Sequence, residues 1–213
     1  MTRRPLLRAG LGVMAMATLG GCTLLRPTPA PGLRVYTLDG AAPPLPPRPA
    51  APVDAPVLLL ASTHAAAGFD SPRILYRRES HRLDAFAYST WAEPPARMLA
   101  PLLHAALTQT GAFRAIVGAT GTAAADYRLD TELVQLLQDF GTAPSQVVLA
   151  LQATLVRASA RRVLAVRSFD IRVPAPSDDP SGGVRAANEA ASTLARDVAV
   201  FCADAVRQAP VAR

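Results

Sequence analysis

Thiols, imidazoles and paired carboxylates are the side chains of this 213-residue chain that could carry nucleophilic, metal or acid–base chemistry. Their spacing supports little of it. His64, His81 and His104 stand far apart, with no i,i+4 pair and no cysteine beside any of them, so neighbouring positions supply no zinc ligand set. No Gly-x-Ser-x-Gly turn is present to expose an activated serine. Gly118-Ala119-Thr120-Gly121 has the glycines of a phosphate loop but neither its lysine nor its helix. The chain contains no lysine at all, which also excludes Schiff-base chemistry. Asp178 and Asp179 precede Pro180 and read as the approach to a helix rather than an acid–base pair. The expectation is a protein without catalytic residues, metal or cofactor, and not an enzyme.

Two cysteines remain, and they differ. Cys202 lies beside an apolar helical stripe and reads as a small buried hydrophobe. Cys22 follows a basic start (Arg3, Arg4, Arg8) and an uncharged apolar run over residues 9–19. That run is too short for ~30 Å of hydrocarbon, which takes about 20 apolar residues, but suits a secretory signal. Leu19-Gly20-Gly21-Cys22 is similar to the lipobox of bacterial lipoproteins, in which the thiol receives a diacylglycerol and becomes the new N-terminus. Residues 1–21 therefore read as a signal peptide, and Cys22 as the lipidation site, carrying acyl chains such as palmitate into a membrane. Thr2-Arg3-Arg4-Pro5-Leu6-Leu7 is also similar to a twin-arginine export signal, and the general secretory route stays open beside it. Cleavage leaves 19 arginines against 16 acids, a net charge of +3, with no dense basic stripe of the kind nucleic acid requires. With Cys22 acylated, Cys202 has no disulfide partner, so the core alone must hold the domain together.

Ten of the 20 prolines fall between Pro27 and Pro56. Residues 22–52 read as a lipidated N-terminus and semi-rigid tether, interrupted at Tyr36-Thr37-Leu38 by a short edge strand. The folded domain is expected over residues 53–209. A continuous apolar run at residues 56–61 suits a strand buried on both faces. Residues 73–78 and 83–90 read as two strands around a Glu79-Ser80-His81 turn. Pro94-Pro95 opens a helix with Met98, Leu102, Leu103 and Leu107 on one face and Gly111 as its cap; Pro101 inside it predicts a kink or a late start. A short strand over 113–117 and a loop over 118–125 follow. Alternation at Leu129, Thr131 and Leu133, then at Val147, Leu149, Leu151, Ala153 and Leu155, predicts an antiparallel meander turning near Pro144. In its third strand the apolar phase switches from Leu164 and Val166 to Phe169, Ile171 and Val173, predicting a β-bulge near Arg167-Ser168. Val184, Ala187, Ala191, Leu194, Val198, Phe201 and Ala205 form one stripe on a long final helix.

Arginines gather in two places. Arg157, Arg161 and Arg162 lie at a strand end. Arg73, Arg77, Arg78 and Arg82 lie on the first hairpin, with Tyr76, Tyr88 and Trp91 close by. Solvated strand ends explain both clusters; a partner surface pairing guanidinium groups with carboxylates or lipid phosphates is the other reading. Because Arg, Tyr and Trp anchor many interfaces, these seven hairpin residues are the candidate contact residues.

Arg73-Ile74-Leu75-Tyr76-Arg77, then Tyr88, Trp91 and Glu93-Pro94-Pro95-Ala96-Arg97-Met98-Leu99, then Phe113-Arg114, resemble the PqiC-type ABC-transport auxiliary lipoproteins. Tyr36-Thr37-Leu38, Ser168-Phe169 and the Asp-rich loop before the alanine-rich last helix extend the resemblance over nearly all of the mature chain; Phe201-Cys202 stands where that family commonly has an aromatic residue. The resemblance implies a single α/β domain, with a mixed, mostly antiparallel sheet covered by two main helices, as in anticodon-binding or TolB N-terminal domains. It implies an auxiliary or docking role beside an MCE-domain protein and an ABC transporter that move lipid between inner and outer membranes. Thr23, with no aspartate after the cysteine, is similar to lipoproteins of the outer membrane and implies the periplasmic face of that membrane. Self-association, activation of a cell-wall synthase, and direct lipid carriage stay open beside this reading.

Overall fold

The computed structural model describes residues 32–40, 51–119 and 124–209. Cys22, the signal peptide, the proline run at 43–49 and the middle of the 118–125 loop lie outside them. The strands are β1 (Arg34–Tyr36), β2 (Val57–Leu60), β3 (His64–Ala65), β4 (Arg73–Arg77), β5 (Asp84–Trp91), β6 (Ala115–Gly118), β7 (Tyr127–Asp139), β8 (Gln146–Arg157) and β9 (Arg162–Pro174); the helices are α1 (Pro95–Thr110) and α2 (Pro180–Gln208).

β7 organises the sheet. One of its edges pairs antiparallel with β8 from Tyr127↔Arg157 to Asp139↔Gln146, and β8 pairs antiparallel with β9. The other edge takes β2, β3 and β4 in succession, all parallel: Leu58↔Tyr127, His64↔Glu132 and Tyr76↔Gln138. β6 extends the sheet beside β2, and β5 then β1 extend it beside β4. The result is a single α/β domain with a large mixed open sheet, its long ladders antiparallel and its short ones, apart from the β4–β5 hairpin, parallel.

Period-2 alternation decides which side chains meet the helices, and two bulges correct its phase. In β7 the register shifts between Leu133 and Gln135, leaving Val134 as the extra, exposed residue. Leu129, Thr131 and Leu133 therefore hand the inner face to Leu136 and Gln138. In β9 the extra residue is Leu164, because Val156 pairs Val163 while Leu155 pairs Ala165. The bulge expected at Arg167-Ser168 thus lies a few residues earlier; Ala153↔Arg167 and Gln152↔Ser168 are regular pairs, and Val166 points away from the helices into solvent.

α1 begins at Pro95, as the double proline predicts, and ends on Gly111 in the left-handed conformation. The late start does not occur: Pro101 sits within the helix on an exposed position, where the carbonyl that loses its partner belongs to exposed Arg97 and can take water. α2 starts under the Asp179 cap, whose carboxylate accepts the Gly182 N–H at 2.7 Å. Its 29 residues bury the stripe from Val184 to Phe201 against α1, β8 and β9. Cys202 is fully buried there, and that burial pushes its thiol pKa up to about 12.

The N-terminal boundary differs from the expectation. β1 pairs with β5 over Arg34↔Ser89 to Tyr36↔Trp91, two residues earlier than the strand read at Tyr36-Thr37-Leu38. Leu38 is buried, and Asn188 on α2 binds the next turn. The compact unit therefore begins at Leu33, not at residue 53.

Candidate docking surface

β4 and β7 end side by side, and that convergence builds the site. Because Tyr76↔Gln138 and Arg77↔Asp139 are in register, the Phe140 N–H donates to the Arg77 carbonyl at 2.8 Å and the chain carries Phe140 beside Tyr76. Phe86 of β5 completes an aromatic cluster, its ring 4.5 Å from that of Tyr76 and 6.5 Å from that of Phe140; Tyr76 meets Phe140 edge-on at 5.8 Å. The exposed Arg78 guanidinium lies 4.2 Å above Phe140 and 5.5 Å from the Tyr76 ring. Stacking spreads the cation over a hydrophobic platform while keeping its donors turned to solvent.

Carboxylates frame the cluster. Arg77 donates to Asp139 at 2.6 Å, which holds the Asp139 carboxyl below the usual carboxylate range; the Gly141 N–H, at 3.0 Å, adds to the effect. The same hydrogen bond raises the pKa of Arg77. Arg82 pairs with Asp84 at 3.0 Å and more loosely with Glu79 at 3.8 Å, across a turn in which His81 adopts φ +66°. Asp178 accepts hydrogen bonds from the hydroxyl and N–H of buried Ser145, and these, with the nearby charge of Arg78, hold it low as well.

The seven candidate residues do not form one surface. Tyr76, Arg77, Arg78 and Arg82 gather at the end of the hairpin. Arg73 pairs with Thr90 at its other end, on the same sheet face as Tyr88. Trp91 leaves the set: it is 4% exposed and packs in the main core, because its position in β5 alternates onto the helix-covered face. Arg157, Arg161 and Arg162 lie at the opposite end of β7, where Arg157 sits 5.8 Å over Tyr127. Sequence reasoning missed Phe86, Asp139 and Phe140. An aromatic directly after a strand-ending acid was the available signal, but only the β4–β7 pairing gives it meaning. In the last helix, Phe201 meets Phe169 edge-on at 6.0 Å and shares Arg167 with it. Among the described residues no group of three or more His, Cys, Asp and Glu side chains could hold a metal, and no helix is long and apolar enough to cross a membrane.

The helix-covered mixed sheet defines the class as a single α/β domain with a large open sheet. The chain belongs to the ABC-type transport auxiliary lipoprotein component family, whose profile matches residues 36–199. That family comprises auxiliary transport lipoproteins, not enzymes, which places the chain among membrane-anchored envelope proteins. A Xanthomonas campestris protein of the DUF330 family is similar in structure, with TM-score 0.68 and 24% identity over 82% of this chain and 97% of its own. An uncharacterised protein (TM-score 0.62, 14% identity, 80% of this chain and 99% of its own) shares the fold. So does a hypothetical protein of Chlamydia trachomatis (TM-score 0.50, 7% identity, 71% of this chain and 97% of its own). No curated protein sequence matches the chain.

Proposed function

We propose that this protein is anchored by acyl chains on Cys22 to the periplasmic face of the outer membrane, where it docks an MCE-domain protein of an ABC system that moves lipid between the two membranes. The observation that carries the docking role is the stacking of Arg78 on Phe140 and Tyr76: a cation held rigidly over an aromatic platform loses little freedom when a carboxylate or phosphate binds it. Asp139 and Asp84 occupy neighbouring Arg77 and Arg82, leaving Arg78 as the guanidinium of the cluster turned toward a partner.

The competing readings have less support. The core cavity lined by Ile74, Trp91, Leu136, Gln138 and Val147 is about 10 Å³, far too small for an acyl chain, so carriage of lipid at that place finds no support. Activation of a cell-wall synthase would call for a long reach, and ten residues lie between Cys22 and Leu33, where the compact unit begins.

Affinity purification from native membranes tests the role. The proposal expects an MCE-domain protein with the parent chain and its loss with Arg78→Glu. Recovery of a synthase instead, or equal recovery with the variant, contradicts it.

A further inference from the structure

We infer that the outer face of the β1–β5 edge rests on the lipid bilayer that holds the Cys22 acyl chains. This rests on the acylation of Cys22 proposed above and concerns a surface separate from the Arg78 cluster.

Alternation sets the face. Ser89 and Trp91 are buried beneath the helices, so Tyr88 and Thr90 point the other way. Parallel pairing puts Val35 beside Thr90, and antiparallel pairing puts Arg73 on Thr90's other side. Leu33 and Tyr88 precede this row on the same face. The apolar members are notably bare: Leu33 is 63%, Val35 61% and Tyr88 49% exposed. β1 pairs with β5 alone, so among the described residues nothing continues the sheet beyond it.

Chain length selects the occupant. Ten residues lie between Cys22 and Leu33, so the two are at most about 40 Å apart when the chain is fully extended. The patch therefore sits at the point where the chain leaves the domain for the membrane and cannot travel far from it. Its chemistry suits a headgroup boundary: two aliphatic side chains to enter the acyl region, a tyrosine with an apolar ring and polar tip, and an arginine for lipid phosphate. A weak surface contact of this kind adds to acyl anchoring and fixes the domain's orientation, which acyl chains alone do not.

Site-directed nitroxide labelling tests the inference on the full acylated chain in vesicles of phosphatidylethanolamine and phosphatidylglycerol. One label is placed at Val35→Cys, and a control at Val200→Cys on the exposed side of α2. Buried Cys202 and lipid-capped Cys22 do not compete for the reagent. On reconstitution, the ratio of oxygen to nickel-chelate accessibility is expected to rise severalfold at position 35 and stay unchanged at position 200. A protein that floats with the vesicles while position 35 stays as aqueous as position 200 overturns the inference and leaves acylation standing. A position shielded from both reagents is covered by protein, either this chain's own N-terminal segment or a second copy, and overturns it too. A protein that does not float overturns acylation and the inference together.

Discussion

One side-chain oxygen of Asn188 accepts the backbone N–H groups of both Asp39 and Gly40, each at 2.9 Å. The amide nitrogen of the same residue donates back to the Thr37 carbonyl at 3.2 Å, so α2 grips the chain just after β1. Gly40 suits the grip: its φ of +70° favours glycine, and an added Cβ would lie 3.0 Å from Leu102 and Ser192. Asn188→Ala leaves two N–H groups without their acceptor and should cost about 1–3 kcal/mol. Amide exchange should then accelerate selectively in β1 and at Leu38, with β7 and β8 unaffected; uniform behaviour across the sheet would show that the clamp is not local.

Gly183 is fixed by a different constraint. A Cβ there would fall 2.3 Å from Oε1 of buried Gln138, whose amide donates to Ser145 at 2.8 Å. Gly183→Ala must push Gln138 away from Ser145, which in turn holds Asp178. Overpacking plus the lost hydrogen bond is expected to cost roughly 2–4 kcal/mol, well beyond the gain in helix propensity of about 1 kcal/mol. Urea titration should show a lower midpoint with an unchanged slope.

Asp139 makes stability depend on acid. Its folded pKa lies below the ordinary carboxylate value, through Arg77 first and the Gly141 N–H after it. A group depressed in this way stabilises the fold above its unfolded pKa of about 3.9, and the stabilisation fades as pH falls through the folded value. Unfolding midpoints should therefore hold through neutral pH and drop below about pH 4. Asp139→Asn should be less stable at pH 7 and lose less on acidification. An identical pH slope in parent and variant would show that the pair contributes nothing.

Cys202 should be chemically silent. Full burial and a thiol pKa of about 12 leave almost no thiolate at pH 7–8, so a disulfide reagent should label it only as fast as the domain opens. Labelling at the rate of an exposed thiol would mean that α2 frays far more readily than its packing indicates.

Local pattern made much of this architecture legible. The buried alternation of Val147 to Leu155 and the stripe from Val184 to Phe201 lie where the sequence puts them, because each follows from the repeat of its own backbone. What stayed hidden was non-local. β1 has only three residues, and its partner lies some 55 positions away, so nothing in Arg34-Val35-Tyr36 announces a strand. The bulge at Leu164 was sensed as a phase slip but misplaced, since an exposed Val166 imitates a core residue in sequence. Of the seven hairpin residues, four converge on one end of the sheet. Phe140, which gives that end its platform, arrives from β7 by a pairing that spacing cannot reveal.

The proposed membrane anchorage through Cys22 underlies the proposed docking role and the inferred bilayer contact alike. Intact-mass analysis of protein taken from its native membrane measures it directly. The account predicts a chain beginning at Cys22 with the added mass of a diacylglycerol and further acylation, and a Cys22→Ser chain that keeps its signal and gains no lipid. A parent chain with an unmodified Cys22, or a serine variant that matures and partitions into membranes as the parent does, would contradict it.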